Sequence, residues 1–442
     1  MAELNDANDK ISVKTDDDGS GALLEESGFV LTKNQNDTTK SRVSEELIPN
    51  QYIVVLKEKP LGSSSAAPGA IDKVDQLMSK VGVSTTGADI HTYRNAFSGF
   101  SAKLDAQQLA ALKKDPDVAM IEQDRIVFID PLSVGQPHKV AANELPRGVD
   151  RIDGELSKTA NNAAGVDVDV AVIDTGINLK HSDLNVVSNV SFVKGAGNGE
   201  DDNGHGSHVA GTVAARADGQ GVKGVAPGAR LWAVKVLNAE GSGKLSDVAA
   251  GIDYVTKNAD KIEVANMSLG GKFKSDVIDN ALSTAVDAGV TFIVAAGNSN
   301  DDTSKYSPAN HPKVLAVSAV CDSDGKGGGL GGVLRGNADD TLASFSNYGE
   351  KAKIAAPGVG IESCWMADGI EPFQFNTISG TSMAAPHVAG AAALLKAARP
   401  TMKPADVYKA IVDSAKPQSD PSFGFKADRD KFAEPMLYVG NF

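Results

Sequence analysis

The chain has 442 residues, of which 41% are hydrophobic, and a formal charge of −14. That length exceeds one small core and implies two or three domains. The acidic balance speaks against nucleic acid and against an anionic membrane surface as partners, and no run approaches the ~18 apolar residues of a membrane span.

Residues 1–48 hold eleven Asp/Glu against five Lys/Arg. Without sustained periodicity, they read as a disordered acidic segment. Residues 49–130 read as a small module. Gln51–Lys57 is strand-like, Ala70–Val81 helical, Phe97–Leu104 an alternating strand, and Asp105–Lys113 a helix with Asp105 as N-cap. Val118–Glu122 and Arg125–Ile129 follow as strands, which predicts a ferredoxin-like α+β fold. Residues 131–145 carry prolines and little pattern and read as a linker.

From 146 to 442 apolar strands alternate with small-residue helices. The strands are Val166–Ile173, Arg230–Leu237, Ile262–Met267, Thr291–Ala295, Val314–Val320 and Lys353–Ala356. The helices are His205–Arg216, Leu245–Asn258, Lys274–Ala288, Ser382–Ala398 and Lys403–Ser414. This alternation predicts one large α/β domain with a doubly wound parallel sheet. Ligands of such sheets bind beyond the carboxyl ends of the strands. Chemistry is therefore sought where strands stop.

Asp174 ends the strand Val170-Ala-Val-Ile-Asp-Thr-Gly176. His205 and His208 lie in Gly204-His-Gly-Ser-His-Val-Ala-Gly211, and metal binding by this pair is weak without a third ligand. Asn298 ends Ala295-Ala-Gly-Asn298. Ser382 lies in Gly380-Thr-Ser-Met-Ala-Ala-Pro-His-Val-Ala-Gly390, where Pro386 predicts a helix start near Ser382 and so a hydroxyl at a helix N-terminus. Each segment alone has an ordinary reading: a turn-capping acid, a structural histidine, a turn asparagine, an N-cap serine. Together, Asp then His then Ser is the chain order of the subtilisin triad. On these four motifs, residues 140–440 resemble the subtilisin-like serine proteases, nearest the proteinase K branch. Residues 50–130 likewise look like that family's inhibitory propeptide.

The resemblance implies a broad-specificity serine endopeptidase made as a self-processing zymogen. Ser382 is then the nucleophile, His205 the base, Asp174 its orienting partner and Asn298 an oxyanion donor. Gly241, Ser242 and Gly243 form one substrate wall, and Ser268, Leu269 and Gly270 the other. Ala295 and Gly297 line an open apolar primary pocket. Self-cleavage is expected within residues 130–145. A structural calcium is expected at Asp183 and Asp218, with carbonyls of Arg216, Gln220 and Val222, whereas Lys353 replaces the aspartate of a second family site. The partners expected are protein or peptide substrates and the chain's own propeptide, with no nucleic acid, no membrane and a monomeric state. No secretory signal is visible. The bulky propeptide nonetheless fits an extracellular enzyme whose signal is absent from this sequence, with a cytoplasmic location as the alternative. Residues 321–342 look like a glycine-rich insertion and are expected to be a floppy surface loop, with an extra cation site or a cleft-edge contact as alternatives. Cys321 and Cys364 form one bridge or stay free. A non-catalytic binder and an esterase are the competing functions; no catalytic residue is missing, and the substrate walls favour peptides.

Overall fold

A computed structural model describes residues 22–24, 30–32, 46–57, 72–87, 89–129, 133–141, 144–162, 165–366 and 374–442. Residues 1–42 form one unit and 43–442 another. In the first, Ala22–Leu24 pairs antiparallel with Val30–Thr32, so the acidic segment is not patternless throughout; the rest of 1–45 lies outside the described residues.

In the second unit the N-terminal module runs β1 (Leu47–Leu56), α1 (Lys73–Lys80), β2 (His91–Tyr93), β3 (Gly99–Lys103), α2 (Ala106–Leu112) and β4 (Val118–Phe128). The strands pair antiparallel in the order β4-β1-β3-β2, the ferredoxin-like arrangement. The expected β-α-β-β-α-β order holds, but two strands differ. Val118–Glu122 and Arg125–Ile129 are one strand, because Gln123 pairs with Tyr52 and the ladder on β1 resumes at Arg125 opposite Leu47 after a register shift. The missing strand is His91–Tyr93, three residues long and too short to show alternation. Asp105 caps α2 reciprocally with Gln108. Val54, Met78, Phe100 and Leu112 close a core between the helices and the sheet.

The large domain continues with β5 (Asp169–Asp174), β6 (Val186–Ser191), α3 (His205–Ala214), β7 (Arg230–Lys235), β8 (Ser242–Lys244), α4 (Leu245–Lys257), β9 (Val264–Met267), α5 (Asp276–Asp287), β10 (Thr291–Ala295), β11 (Leu315–Cys321), β12 (Ala352–Pro357), β13 (Ile361–Trp365), β14 (Gln374–Ser379), α6 (Thr381–Ala398) and α7 (Pro404–Ser414). Seven strands form a parallel sheet ordered β6-β7-β5-β9-β10-β11-β12. Its interior strand β5 is apolar on both sides, as a doubly covered strand requires. Val170 and Val172 face a core shared with α3 and α6, whereas Ala171 and Ile173 face one shared with α4 and α5. Ile53, Val55, Tyr93, Phe97 and Val127 of the small module join that second core, so the module packs on the α4/α5 face.

The insertion is ordered rather than floppy. Thr341–Leu342 pairs with β11, and Val333–Leu334 with Asn337–Ala338. Asp339 accepts hydrogen bonds from Ser323 N and Oγ and from Gly331 N, at 2.7–2.9 Å. Carboxylates holding backbone N–H groups replace the apolar core that a glycine-rich loop lacks. Both cysteines are buried and free.

Near the C-terminus Glu434 is 2% exposed, and neither carboxyl oxygen accepts a hydrogen bond from another residue. Burial, then neighbouring Asp428, pushes its pKa up to about 8. A raised carboxyl pKa favours the fold below the unfolded value and loses that contribution as pH rises through the folded one, here between the ordinary glutamate range and about 8. Glu434→Gln removes the buried charge. In a Ser382→Ala background its melting temperature is expected to match the parent at low pH and to exceed it by about 3 °C at high pH. Calorimetric melts at both extremes check this; parallel curves contradict it.

Candidate active site

Asp174, the last residue of β5, stands at the sheet's carboxyl edge, fully buried. His205 is the first residue of α3. Its Nδ1 lies 2.8 Å from Asp174 Oδ1. Close backbone approach makes this possible. A Cβ on Gly206 would stand 2.0 Å from Gly176 O, and Gly176 itself has φ +108°. Asp201 fixes the helix start. Its Oδ1 accepts from Gly204 N and Thr175 Oγ1, and its Oδ2 from Ser207 N and Oγ. Thr175 Oγ1 in turn accepts from Gly206 N. The strand end and the helix end that present the pair are thus tied by one carboxylate and one hydroxyl. Neither residue stood out in the sequence, although an acid four residues before a helical histidine is an ordinary helix-start signal.

A carboxylate only accepts, so the proton between the pair sits on Nδ1, which leaves Nε2 as the acceptor of the neutral ring. His205 Nε2 is buried and makes no hydrogen bond. His208 is set apart from this chemistry. Its Nε2 lies 2.9 Å from Ile361 O, and burial pushes its pKa down to about 3, which keeps it neutral.

Ser382 is the second residue of α6, which starts at Thr381. Pro386 therefore lies beyond the first turn, later than the sequence reading allowed. It has no N–H to offer the carbonyl four residues back, which is that of Ser382. Ser268 Oγ donates to this carbonyl instead, at 2.9 Å. Ser382 Oγ returns a bond to Ser268 O at 3.1 Å. The serine hydroxyl is thus held on Ser268 and not on His205. Asn298 Oδ1 accepts from Thr381 N and Oγ1, both at 2.8 Å. Those donors fix which end of the amide is oxygen. Its Nδ2 lies 3.3 Å from where a Cβ on Gly380 would stand.

The expected walls lie on either side of one extended segment of the chain. β8 pairs antiparallel with β4: Ser242 with Phe128, Gly243 with Val127, Lys244 with Ile126. Ile129 N donates to Gly241 O at 3.0 Å, and Phe128 bridges to Gly270 on the other side. Side chains are excluded here: a Cβ on Gly243 would stand 2.2 Å from Val236 O, and on Gly270 2.6 Å from Ser307 O. Ser133–Val134 then pairs with β14, Ser133 opposite Ser379. Residues 130–132 lie outside the described residues. Ser268 and Leu269 are buried, Ser268 with its side chain committed to Ser382. Ala295 and Gly297 sit at the end of β10, where Gly297 N donates to Thr381 Oγ1.

Two helix N-termini anchor the module. Asp124 accepts from Ser246 N and Oγ at 3.0 and 2.6 Å, in the first turn of α4. Glu122 accepts from Ser275 Oγ and Val277 N at the start of α5. Caps of this kind contribute about 0.5–2 kcal/mol each. In the reverse direction, Asp253 of α4 accepts from Asn95 N and Ala96 N.

At the expected calcium site Asp183 is 1% exposed and its Oδ2 accepts from Val222 N, while Asp218 Oδ1 accepts from Gln220 N. Burial and then Asp218 push the Asp183 pKa up to about 6. A buried carboxylate beside a second one fits an oxygen-binding cation. His181 and Cys364 also approach Asp183. The histidine is engaged at both nitrogens, by Asp183 N and Gln374 O, and burial holds the thiol neutral.

A family model described as the subtilase family matches residues 165–429, and one described as peptidase inhibitor I9 matches 51–130. The chain belongs to the subtilase family. It is a serine endopeptidase made as a zymogen, with an intramolecular inhibitory propeptide ahead of the subtilase domain. Among its relatives, an extracellular serine proteinase of Thermus sp. (strain Rt41A) is 38% identical over 84% of this chain and 86% of its own length. The alkaline serine exoprotease A of Vibrio alginolyticus is 37% identical over 83% of this chain, which spans 64% of that protein. The crystal structure of a cold-adapted subtilisin-like serine proteinase aligns with TM-score 0.52 at 34% identity, over 66% of this subtilase and 97% of that chain. No helix among the described residues is long and apolar enough to cross a membrane.

Proposed function

We propose that this subtilase cleaves internal peptide bonds with Ser382 as nucleophile, His205 as general base and acid, Asp174 as the residue that orients His205, and Asn298 as oxyanion donor. The observation that carries the reading is β4 laid between segments 241–244 and 270 as an extra strand. Main-chain pairing of that kind accepts any extended peptide, so broad specificity follows. The propeptide holds the same wall segments and blocks them in the manner of a substrate. We place the primary pocket at Ala295–Gly297, with a preference for apolar or aromatic residues before the cut.

Attack begins when Ser382 Oγ leaves Ser268 O and gives its proton to His205 Nε2. His205 then carries both ring protons, and Asp174 Oδ1 stabilises the charge. The tetrahedral oxyanion forms against Asn298 Nδ2 and the backbone N–H of Ser382 at the start of α6, where the helix dipole adds to the hydrogen bonds. His205 returns the proton to the leaving amine, and water repeats the cycle on the acyl-enzyme.

First self-cleavage falls between Ile129, held on Gly241, and Ser133, held on Ser379, at the early end of the 130–145 span. Asp183 and Asp218, with the Arg216, Gln220 and Val222 carbonyls, would hold a calcium ion, which would supply charge neutralisation for the buried carboxylate and would tie the 216–222 loop to the domain. The active form acts outside the cell, as the Thermus relative's name says of that protein, and it works as a monomer.

Asn298→Ala is expected to lower kcat by about 10²–10³, the range measured for the equivalent donor in subtilisin itself, a member of this family. KM for a peptide amide should change little, since the donor acts on the oxyanion and not on the bound ground state. A steady-state comparison that finds an unchanged kcat removes Asn298 from the mechanism.

A further inference from the structure

We propose that the insertion after β11 binds a divalent cation of the calcium class through Asp322, Asp324 and Asp339, independently of the Asp183 loop. One ligand oxygen from each of the three lies within 4.8 Å of the others. A cluster of acids alone does not make a site, but Asp322 adds a second observation. It is 3% exposed, and its Oδ1 accepts no hydrogen bond. Arg151 Nε lies 3.7 Å from that oxygen. Arg151 is shared, however: its Nε and one NH₂ group donate to Asp340 Oδ1, and that NH₂ group also to Phe423 O. Asp322, Asp339 and Asp340 are all buried, and the one guanidinium shared between Asp322 and Asp340 does not balance three carboxylates.

The rest of the loop is shaped around these groups. Gly325 N donates to Asp322 Oδ2, and Lys326 N to Asp324 Oδ1. Gly325 has φ +79°, and a Cβ there would stand 2.5 Å from Asp150 Oδ2, so the turn can approach that further carboxylate only as glycine. The donor set is all oxygen. Cys321 turns its thiol to Leu334 O and Asn337 O, away from the three carboxylates. Hard oxygen ligands select calcium over zinc or copper. A bound cation would close the chain between Asp322 and Asp339 and anchor the insertion beside Arg151.

The test uses the full chain with Ser382→Ala, to prevent self-digestion, stripped of metal by chelation and titrated with calcium by calorimetry. Asp324→Asn is the main variant, because Asp324 is exposed and the hydrogen bond it accepts is a local one, from Lys326 N. Asp339→Asn is the second. A binding event is expected that weakens at least about ten-fold in Asp324→Asn, as loss of one ligand charge predicts, and that persists in Asp183→Asn. Calcium should also slow proteolysis within 322–339 of the parent. Parent and Asp324→Asn binding calcium with equal stoichiometry and affinity would overturn the proposal, as would a single event abolished by Asp183→Asn. Failure of the Asp183 site alone leaves the insertion's event in place, so the two sites are separately decided.

Discussion

Ser382→Ala is expected to abolish proteolysis, with kcat falling by about 10⁶, the loss that removing this nucleophile causes in subtilisin itself. The substitution leaves little else to explain the loss. Ser382 is 4% exposed, alanine fits its volume, and the one bond forfeited by its side chain is that to Ser268 O. The bond from Ser268 Oγ to the Ser382 carbonyl is a backbone contact and survives. A net hydrogen bond is worth about 1 kcal/mol, so folding should persist. Zymogen processing gives a second readout. The wild-type chain should release a mature form, and mass spectrometry with N-terminal sequencing should place the new end within 130–145, first between Ile129 and Ser133. The variant should remain one chain with its propeptide attached. Casein cleavage at equal rates by wild type and variant would end the assignment of Ser382.

Asp174→Asn should cost about 10⁴ in kcat, with circular dichroism unchanged. The two side chains have the same shape, so the loss is one of proton placement. Asp174 Oδ1 now lies 2.8 Å from His205 Nδ1 and can only accept. An asparagine amide donates there instead, Nδ1 becomes the acceptor, and the ring proton moves to Nε2. That nitrogen must take the Ser382 proton, and it is the one left without a partner in the zymogen. The smaller penalty than for Ser382→Ala is itself diagnostic, because the nucleophile and oxyanion donors remain. Equal losses in the two variants would indicate a collapsed site and not a misplaced proton.

Why the hydroxyl rests on Ser268 O has a structural basis in the zymogen. β4 fills the wall segments, and the serine and Ser268 satisfy one another while Pro386 leaves the Ser382 carbonyl open. Active-site hydrogen bonds commonly tighten only when substrate is in place. Under the proposed assignment, the reciprocal pair makes Ser268 a positioning group for Ser382.

Local pattern alone determined most of the architecture. Both-face apolar runs such as Val170–Ile173 and the glycine-flanked histidine, asparagine and serine segments need only nearest neighbours to be read, because strand and helix periods and glycine conformations are local properties. The ferredoxin-like order of the propeptide was legible on the same ground, apart from His91–Tyr93, which is too short to carry a period. Tertiary structure decided everything that depends on which distant groups meet. Asp201 capping α3, Glu122 and Asp124 capping α5 and α4, Ser268 answering the carbonyl freed by Pro386, and carboxylates ordering the 321–342 insertion all join residues far apart in the chain or in irregular loops. Hydrogen bonds between such groups are set by the packing of whole elements, and sequence spacing carries no record of that packing.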